Sequence, residues 1–109
     1  MTDTVGMPTK VHKRLSVNEL KAIVEPVAKK YGVGRIYLIG SVARGDHKEN
    51  SDYDFCIELG KIRSISIYSE FFLDLRDAVN HEIDMVDKDA LDPEFLKTVL
   101  SEGVVLYGE

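Results

Sequence analysis

Asp52 and Asp54 stand two residues apart in a stretch that alternates polar and apolar side chains, Asp52-Tyr53-Asp54-Phe55-Cys56-Ile57-Glu58-Leu59. In an extended strand, positions two apart leave the same face, about 6.6 Å apart along the backbone. Carboxylates placed this way are the oxygen ligands that Mg²⁺ takes. Two bridged ions would stabilise the attacking and leaving oxygens of a phosphoryl or nucleotidyl displacement. An Asp-x-Asp alone is common at exposed strand ends. Asp84, in Glu82-Ile83-Asp84-Met85-Val86, adds a third carboxylate in mid-strand, opposed to Ile83 and Met85, in an element expected to pair with the Asp52 strand. Three acids on one sheet face repel one another unless a cation offsets them. Asp87, at the end of the same strand, is the alternative third acid.

Gly40-Ser41 follows the apolar run Arg35-Ile36-Tyr37-Leu38-Ile39 directly. A strand that ends in Gly-Ser before a helical turn presents backbone N–H groups and a hydroxyl to an anion. Gly40 lets a phosphate approach the backbone closely, and Arg44, one turn on, offers a charge-assisted contact to a triphosphate. There is no GxxxxGK[ST] phosphate loop, so the chain is not an NTPase of that class. His47, in the loop between the motifs, reads as a solvated histidine, with substrate contact as the alternative. His12 and His81 carry no assignment, and Cys56 reads as a small residue of a half-buried strand.

The elements that must position these residues are legible in the pattern. Ser16-Val17-Asn18-Glu19 is a capping box, followed by Val17, Leu20, Ile23, Val24, Val27 and Ala28 at helical spacing. Pro26 predicts a kink or a shortening of that helix, and Tyr31-Gly32 its end. Residues 35–39 predict a buried strand, 40–45 a compact turn with one helical turn, 46–51 a polar loop, and 52–59 a half-buried strand. A second helix is expected near 66–80, with the stripe Ile67, Tyr68, Phe71, Phe72, Leu75, Ala78 and Val79. Residues 82–86 predict a third strand. Asp92-Pro93 opens a helix that buries Phe95, Leu96, Val99 and Leu100 and ends at Gly103. Val104 to Tyr107 reads as a short final strand or an apolar tail. The sum is one α+β domain over residues 15–109, a small mixed sheet packed with helices, after a flexible tail over residues 1–14 that ends in Lys10, His12, Lys13 and Arg14.

Composition narrows the partners. The 109 residues carry 14 Lys plus Arg against 19 Asp plus Glu, a formal net charge of −5 that disfavours a broad nucleic-acid face and favours cation binding. No apolar run approaches the roughly 18 residues of a membrane span, the first residues lack a signal peptide's apolar core, and one cysteine builds no disulfide framework. A cytoplasmic setting without membrane partners is expected.

The conjunction Ile39-Gly40-Ser41, ten intervening residues, Asp52-Tyr53-Asp54-Phe55 and a later strand Asp resembles the signature of the DNA polymerase β-like nucleotidyltransferase superfamily. The fuller stretch IYLIGSVARGDHKENSDYDFCIEL is similar to the minimal nucleotidyltransferase branch, whose usual forms are GSxARG and SDxD. The resemblance covers about residues 16–107; its one departure, Ile39 where Phe often stands, keeps an apolar strand end. It implies the polymerase β-like fold, with Asp52, Asp54 and Asp84 as catalytic metal triad for two Mg²⁺ ions. Gly40, Ser41 and Arg44 become the triphosphate-binding residues, and ATP the expected donor. Because the acceptor-binding domains of larger relatives are missing, it further implies an acceptor supplied by a partner. That partner is typically a HEPN-domain RNase toxin, which the small enzyme neutralises as antitoxin by adenylylating a hydroxyl on a tyrosine or by binding it. The alternative is a non-catalytic antitoxin that acts through complex formation alone, in a homo- or hetero-oligomer.

Overall fold

The computed structural model describes residues 14–46 and 52–108. The expected tail, apart from Arg14, lies outside these residues, as do His47, Ser51 and most of the loop between the two motifs.

Helix α1 (Val17–Tyr31) starts at the predicted capping box: the Ser16 hydroxyl accepts from the Glu19 N–H at 3.0 Å and the Glu19 carboxylate accepts from the Ser16 N–H at 2.8 Å. Gly32 ends it in the left-handed conformation. Pro26 does not shorten the helix, contrary to expectation. It lies on the solvent side, so the Ala22 carbonyl that loses its N–H partner, itself on an exposed residue, is left to water.

Strands β1 (Arg35–Ile39), β2 (Tyr53–Glu58), β3 (Ile83–Asp87) and β4 (Val104–Tyr107) form one mixed sheet in the order β3-β2-β1-β4. β1 is antiparallel to both β2 and β4, whereas β2 and β3 are parallel. A parallel pair needs a crossover, and helix α3 (Ile65–Val79) supplies it, capped at its start by the Ser64 hydroxyl. A five-residue helix α2 (Gly40–Arg44) follows β1 directly, and α4 (Pro93–Glu102) begins at Asp92, whose carboxylate accepts from the Phe95 N–H at 2.8 Å. Val104 to Tyr107 is thus a strand rather than a loose tail.

Helices α1 and α3 cover one face of the sheet. Leu20, Val24 and Ala28 of α1 and Phe71, Leu75 and Val79 of α3 pack on Ile36, Leu38, Tyr53, Phe55 and Ile57. Ile67 and Ala78, read as part of the α3 stripe, are exposed. The other face carries a smaller cluster of Tyr37, Ile39 and Cys56 against Val99 of α4. β2 is therefore covered on both sides rather than half-buried: Cys56, on its polar side by alternation, is fully buried. α4 corrects the sequence reading in the opposite sense. Val99 alone is buried, Leu96 is partly so, and Phe95 and Leu100 keep 42% and 56% of their surface in solvent. The helix rests on the sheet along one line, and that line passes through Val99. Among the described residues, no helix is long and apolar enough to cross a membrane.

A polar tie joins α1 to α3. Asp74 accepts from the Lys30 ammonium at 3.0 Å and from the Tyr31 hydroxyl at 2.5 Å, while the Tyr31 ring meets Phe71 edge-on at 5.5 Å. The Tyr31 and then the Lys30 hydrogen bonds hold the Asp74 carboxyl below the usual range. A carboxyl lowered by folding contributes stability above its unfolded range and loses it as pH falls through its folded range. Asp74→Asn should lower the thermal midpoint slightly at pH 7, as exposed pairs do, and the gap from wild type should close on acidification; calorimetry across pH checks both.

Candidate active site

Three sequence-distant positions share one row at the end of the sheet. Ile39 pairs with Asp54 across the antiparallel ladder, and Asp54 pairs with Asp84 across the parallel one. Partners in register leave the same face, here the face that α4 covers. Asp54 is partly buried and Asp84 exposed, while Asp52 is exposed immediately before β2. Asp52 and Asp84 both act on Asp54. Burial first, then the charges of Asp84 and Asp52, push the Asp54 carboxyl above its ordinary range, with Arg44 opposing them. Asp87 lies an odd number of residues from Asp84 and so on the other face, and its carboxylate accepts from the Asp89 N–H at 2.9 Å, capping the 3-10 turn Lys88–Ala90. Asp84 is the acid that stands beside Asp54.

Gly40 faces the same carboxylate. Its φ of 77° lies in the left-handed region, and a Cβ there would collide with the Asp54 Oδ2 atom. The turn packs onto the acid through the space a side chain would fill. No side chain caps the start of α2, whose preceding residue is Ile39. Ser41 lies in its first turn, partly buried, and Arg44 in its last, exposed, its Nε donating to Asp46 at 3.2 Å.

Tyr53, between the two acids, points the other way and fixes the strand. Its hydroxyl accepts from the Leu15 N–H at 2.8 Å, and its ring lies parallel to Phe55 and edge-on to His81 at 5.0 Å. Cys56 shares the acids' face but sits deeper, beneath α4; burial raises its thiol to about 11, with Lys88 opposing. It packs and does not react.

A cavity of about 410 Å³ opens above the row, with Gly40, Arg44, Asp54 and Asp84 at its polar end and Phe95 and Val99 of α4 along its wall. α4's part in the cavity was missed by the sequence reading, since an apolar residue at helical spacing reads as core whether or not anything covers it. A concave site that joins crowded carboxylates, a side-chain-free turn and a cation can hold a phosphate ester and neutralise charge on it.

The sequence profile of the polymerase beta nucleotidyltransferase family matches residues 21–109. The chain belongs to that family. This nucleotidyltransferase is 31% identical over 94 residues to the protein adenylyltransferase MntA of Thermococcus cleftensis, covering 83% of this chain and 95% of that one. Solved structures share its fold, among them two toxin–antitoxin complexes. One, a toxin–antitoxin with AMP-PNP, is 23% identical with a TM-score of 0.67, over 82% of this chain and 73% of its own. The other, a tri-AMPylated HEPN toxin of Shewanella oneidensis in complex with its MNT antitoxin, is 18% identical with a TM-score of 0.63, over 86% and 74%. The nucleotidyltransferase thus has the polymerase β-like fold that its motifs imply, and its enzyme class is nucleotidyl transfer.

Proposed function

We propose that the chain is a cytoplasmic, Mg²⁺-dependent adenylyltransferase that moves AMP from ATP to a hydroxyl on a HEPN-domain partner and so neutralises that partner's toxicity. The observation that carries this reading is the row Ile39–Asp54–Asp84, with Gly40 packed on Asp54 at the floor of one cavity. Similarity to the protein adenylyltransferase MntA, and a shared fold with a complex of an MNT antitoxin and an AMPylated HEPN toxin, support it.

Carboxylate oxygens are the donor chemistry that magnesium takes. Among the described residues no three acidic, histidine or cysteine side chains gather tightly enough to enclose an ion, and Mg²⁺ is usually held by one or two carboxylates together with waters and substrate phosphates. Burial, then the charges of Asp84 and Asp52, disfavour the Asp54 carboxylate against the opposing Arg44, and a cation would offset that cost. Asp52, Asp54 and Asp84 would hold it. When bound, it would neutralise charge on the attacking and leaving oxygens.

The chain's own residues do the rest. Gly40 and Ser41 receive the triphosphate at a turn without a blocking side chain, and Arg44 turns from Asp46 to a phosphate oxygen. Asp84, the exposed acid, takes the proton of the acceptor hydroxyl. That oxygen then bonds to the α-phosphorus as the bond to the bridging oxygen of the β-phosphate breaks, and pyrophosphate leaves. Incubating the protein and its HEPN partner with α-phosphate-labelled ATP and Mg²⁺ should label the partner, and chelation with EDTA should abolish the label. Neutralisation of the partner without any label would replace this reading by the binding-only antitoxin.

A further inference from the structure

The cavity above the acids has two unlike ends. Gly103, at the foot of α4, lies against β1: a Cβ there would be 3.4 Å from the Ile39 side chain and 3.5 Å from the Leu38 carbonyl. That end adjoins Gly40 and the start of α2. Phe95 lines the same cavity eight residues earlier, about 12 Å back along the helix axis. The wall thus runs from the phosphate turn, past the acids, to a phenyl ring.

Phe95 is not needed to hold the fold together. It sits in the first turn of a capped helix, outside both packed clusters, and 42% of its surface meets solvent. An aromatic ring that lines a cavity and remains open to water is a stacking surface. The polar groups near it are committed or ill-suited to reading a base edge: the Thr98 hydroxyl donates back to the Glu94 carbonyl at 3.3 Å, and Glu102 lies at the Gly103 end of the wall. A nucleoside triphosphate matches this layout, with an anionic chain for the Gly40 end and a flat, weakly polar base for the other. The cavity volume of about 410 Å³ lies within the roughly 300–1,000 Å³ of small-molecule sites.

We propose that Phe95 is the stacking platform for the nucleotide base, so that α4 binds the nucleoside end of the donor while the Gly40 turn binds its phosphates. This rests on the nucleotidyl-transfer reading and adds to it the residue that holds the base.

The test is equilibrium binding to the full chain in Mg²⁺, with ATP and inorganic tripolyphosphate as the two probes. Base–aromatic stacking lost to alanine weakens binding by about tenfold or more, so Phe95→Ala should weaken ATP by that factor and leave tripolyphosphate unchanged. Phe95→Trp should keep ATP affinity, and its fluorescence should respond to ATP but not to tripolyphosphate. Equal losses for both probes would mean that Phe95 only shapes the cavity, and unchanged ATP binding by Phe95→Ala would remove it from the site; either result overturns the proposal. If wild type binds neither probe, the nucleotidyl-transfer reading falls and this inference with it. If wild type binds both probes and Phe95→Ala binds them as wild type does, the reading stands and the platform alone is wrong.

Discussion

Asp54→Asn should abolish AMP transfer, by about 10³-fold or more, and at the same time make the metal-free protein more stable. The activity loss follows from position: Asp54 is the middle of the row, in register with Asp84, two residues from Asp52 and in contact with the Gly40 turn. Removing its charge takes away the central carboxylate of the proposed metal-binding set, and electrostatic groups of this kind are among the largest single contributions to catalysis. The gain in stability follows from the same crowding. Burial and the charges of Asp84 and Asp52 raise the Asp54 carboxyl in the folded chain. The folded state therefore binds its proton more tightly than the unfolded state does. Between the unfolded and the folded ranges, stability falls as pH rises, and above the folded range the full cost of the charge remains. Asparagine removes that cost at neutral pH without removing the side chain. Thermal unfolding in EDTA should show a higher midpoint for Asp54→Asn at pH 7 and convergence with wild type in acid, while label transfer in Mg²⁺ is lost. A variant that is both inactive and less stable would mean that Asp54 serves packing rather than charge.

Gly40→Ala should be the second severe change, and here activity and stability fall together. The alanine must hold a φ of 77°, which side chains rarely adopt, and its methyl collides with the Asp54 carboxylate. Strain of this type costs on the order of 1–3 kcal/mol. Because the obstacle is the carboxylate of the central acid, relief comes only by moving Asp54 out of the row or by unwinding the start of α2. Denaturant unfolding should report the loss of stability, and tripolyphosphate binding should weaken along with label transfer. Gly45→Ala is the matching control. It also has a positive φ, 82°, but no atom lies within 4 Å of its added methyl. It should lose stability through backbone strain while keeping most of its phosphate binding.

Much of this fold was legible because local chemistry and packing agree. The Ser16–Glu19 box, the Asp92-Pro93 start and the alternation across β2 each announce an element that the tertiary structure keeps. The motif pointed to Asp52, Asp54 and Asp84 as a set, but not to how Asp54 and Asp84 come to be neighbours. Asp54 and Asp84 meet because β2 and β3 are parallel and paired without a slip, and register across the crossover of residues 59–82 has no local signature. Which of Asp84 and Asp87 neighbours Asp54 follows from that register, since each step along β3 exchanges faces. Pro26 misled because a proline's cost depends on whether the freed carbonyl meets water. Phe95 and Cys56 misled in opposite directions for one reason. How far α4 reaches across the sheet decides what is covered, and a helix's apolar spacing does not encode where it will lie.

β4 follows α4 and adds to β1 along the side that β2 leaves open. Four of the five residues of β1 are buried. Without β4, β1 would be an edge strand, with its backbone ladder open beside Ile36, Tyr37 and Leu38, the kind of surface on which chains associate strand to strand. Synthesis proceeds at about 5–20 residues per second, so every new copy carries that bare ladder until residues 104–107 have been made. In a cell, a short four-residue strand, made long after β1, takes over the sheet edge that the apolar β1 would otherwise present.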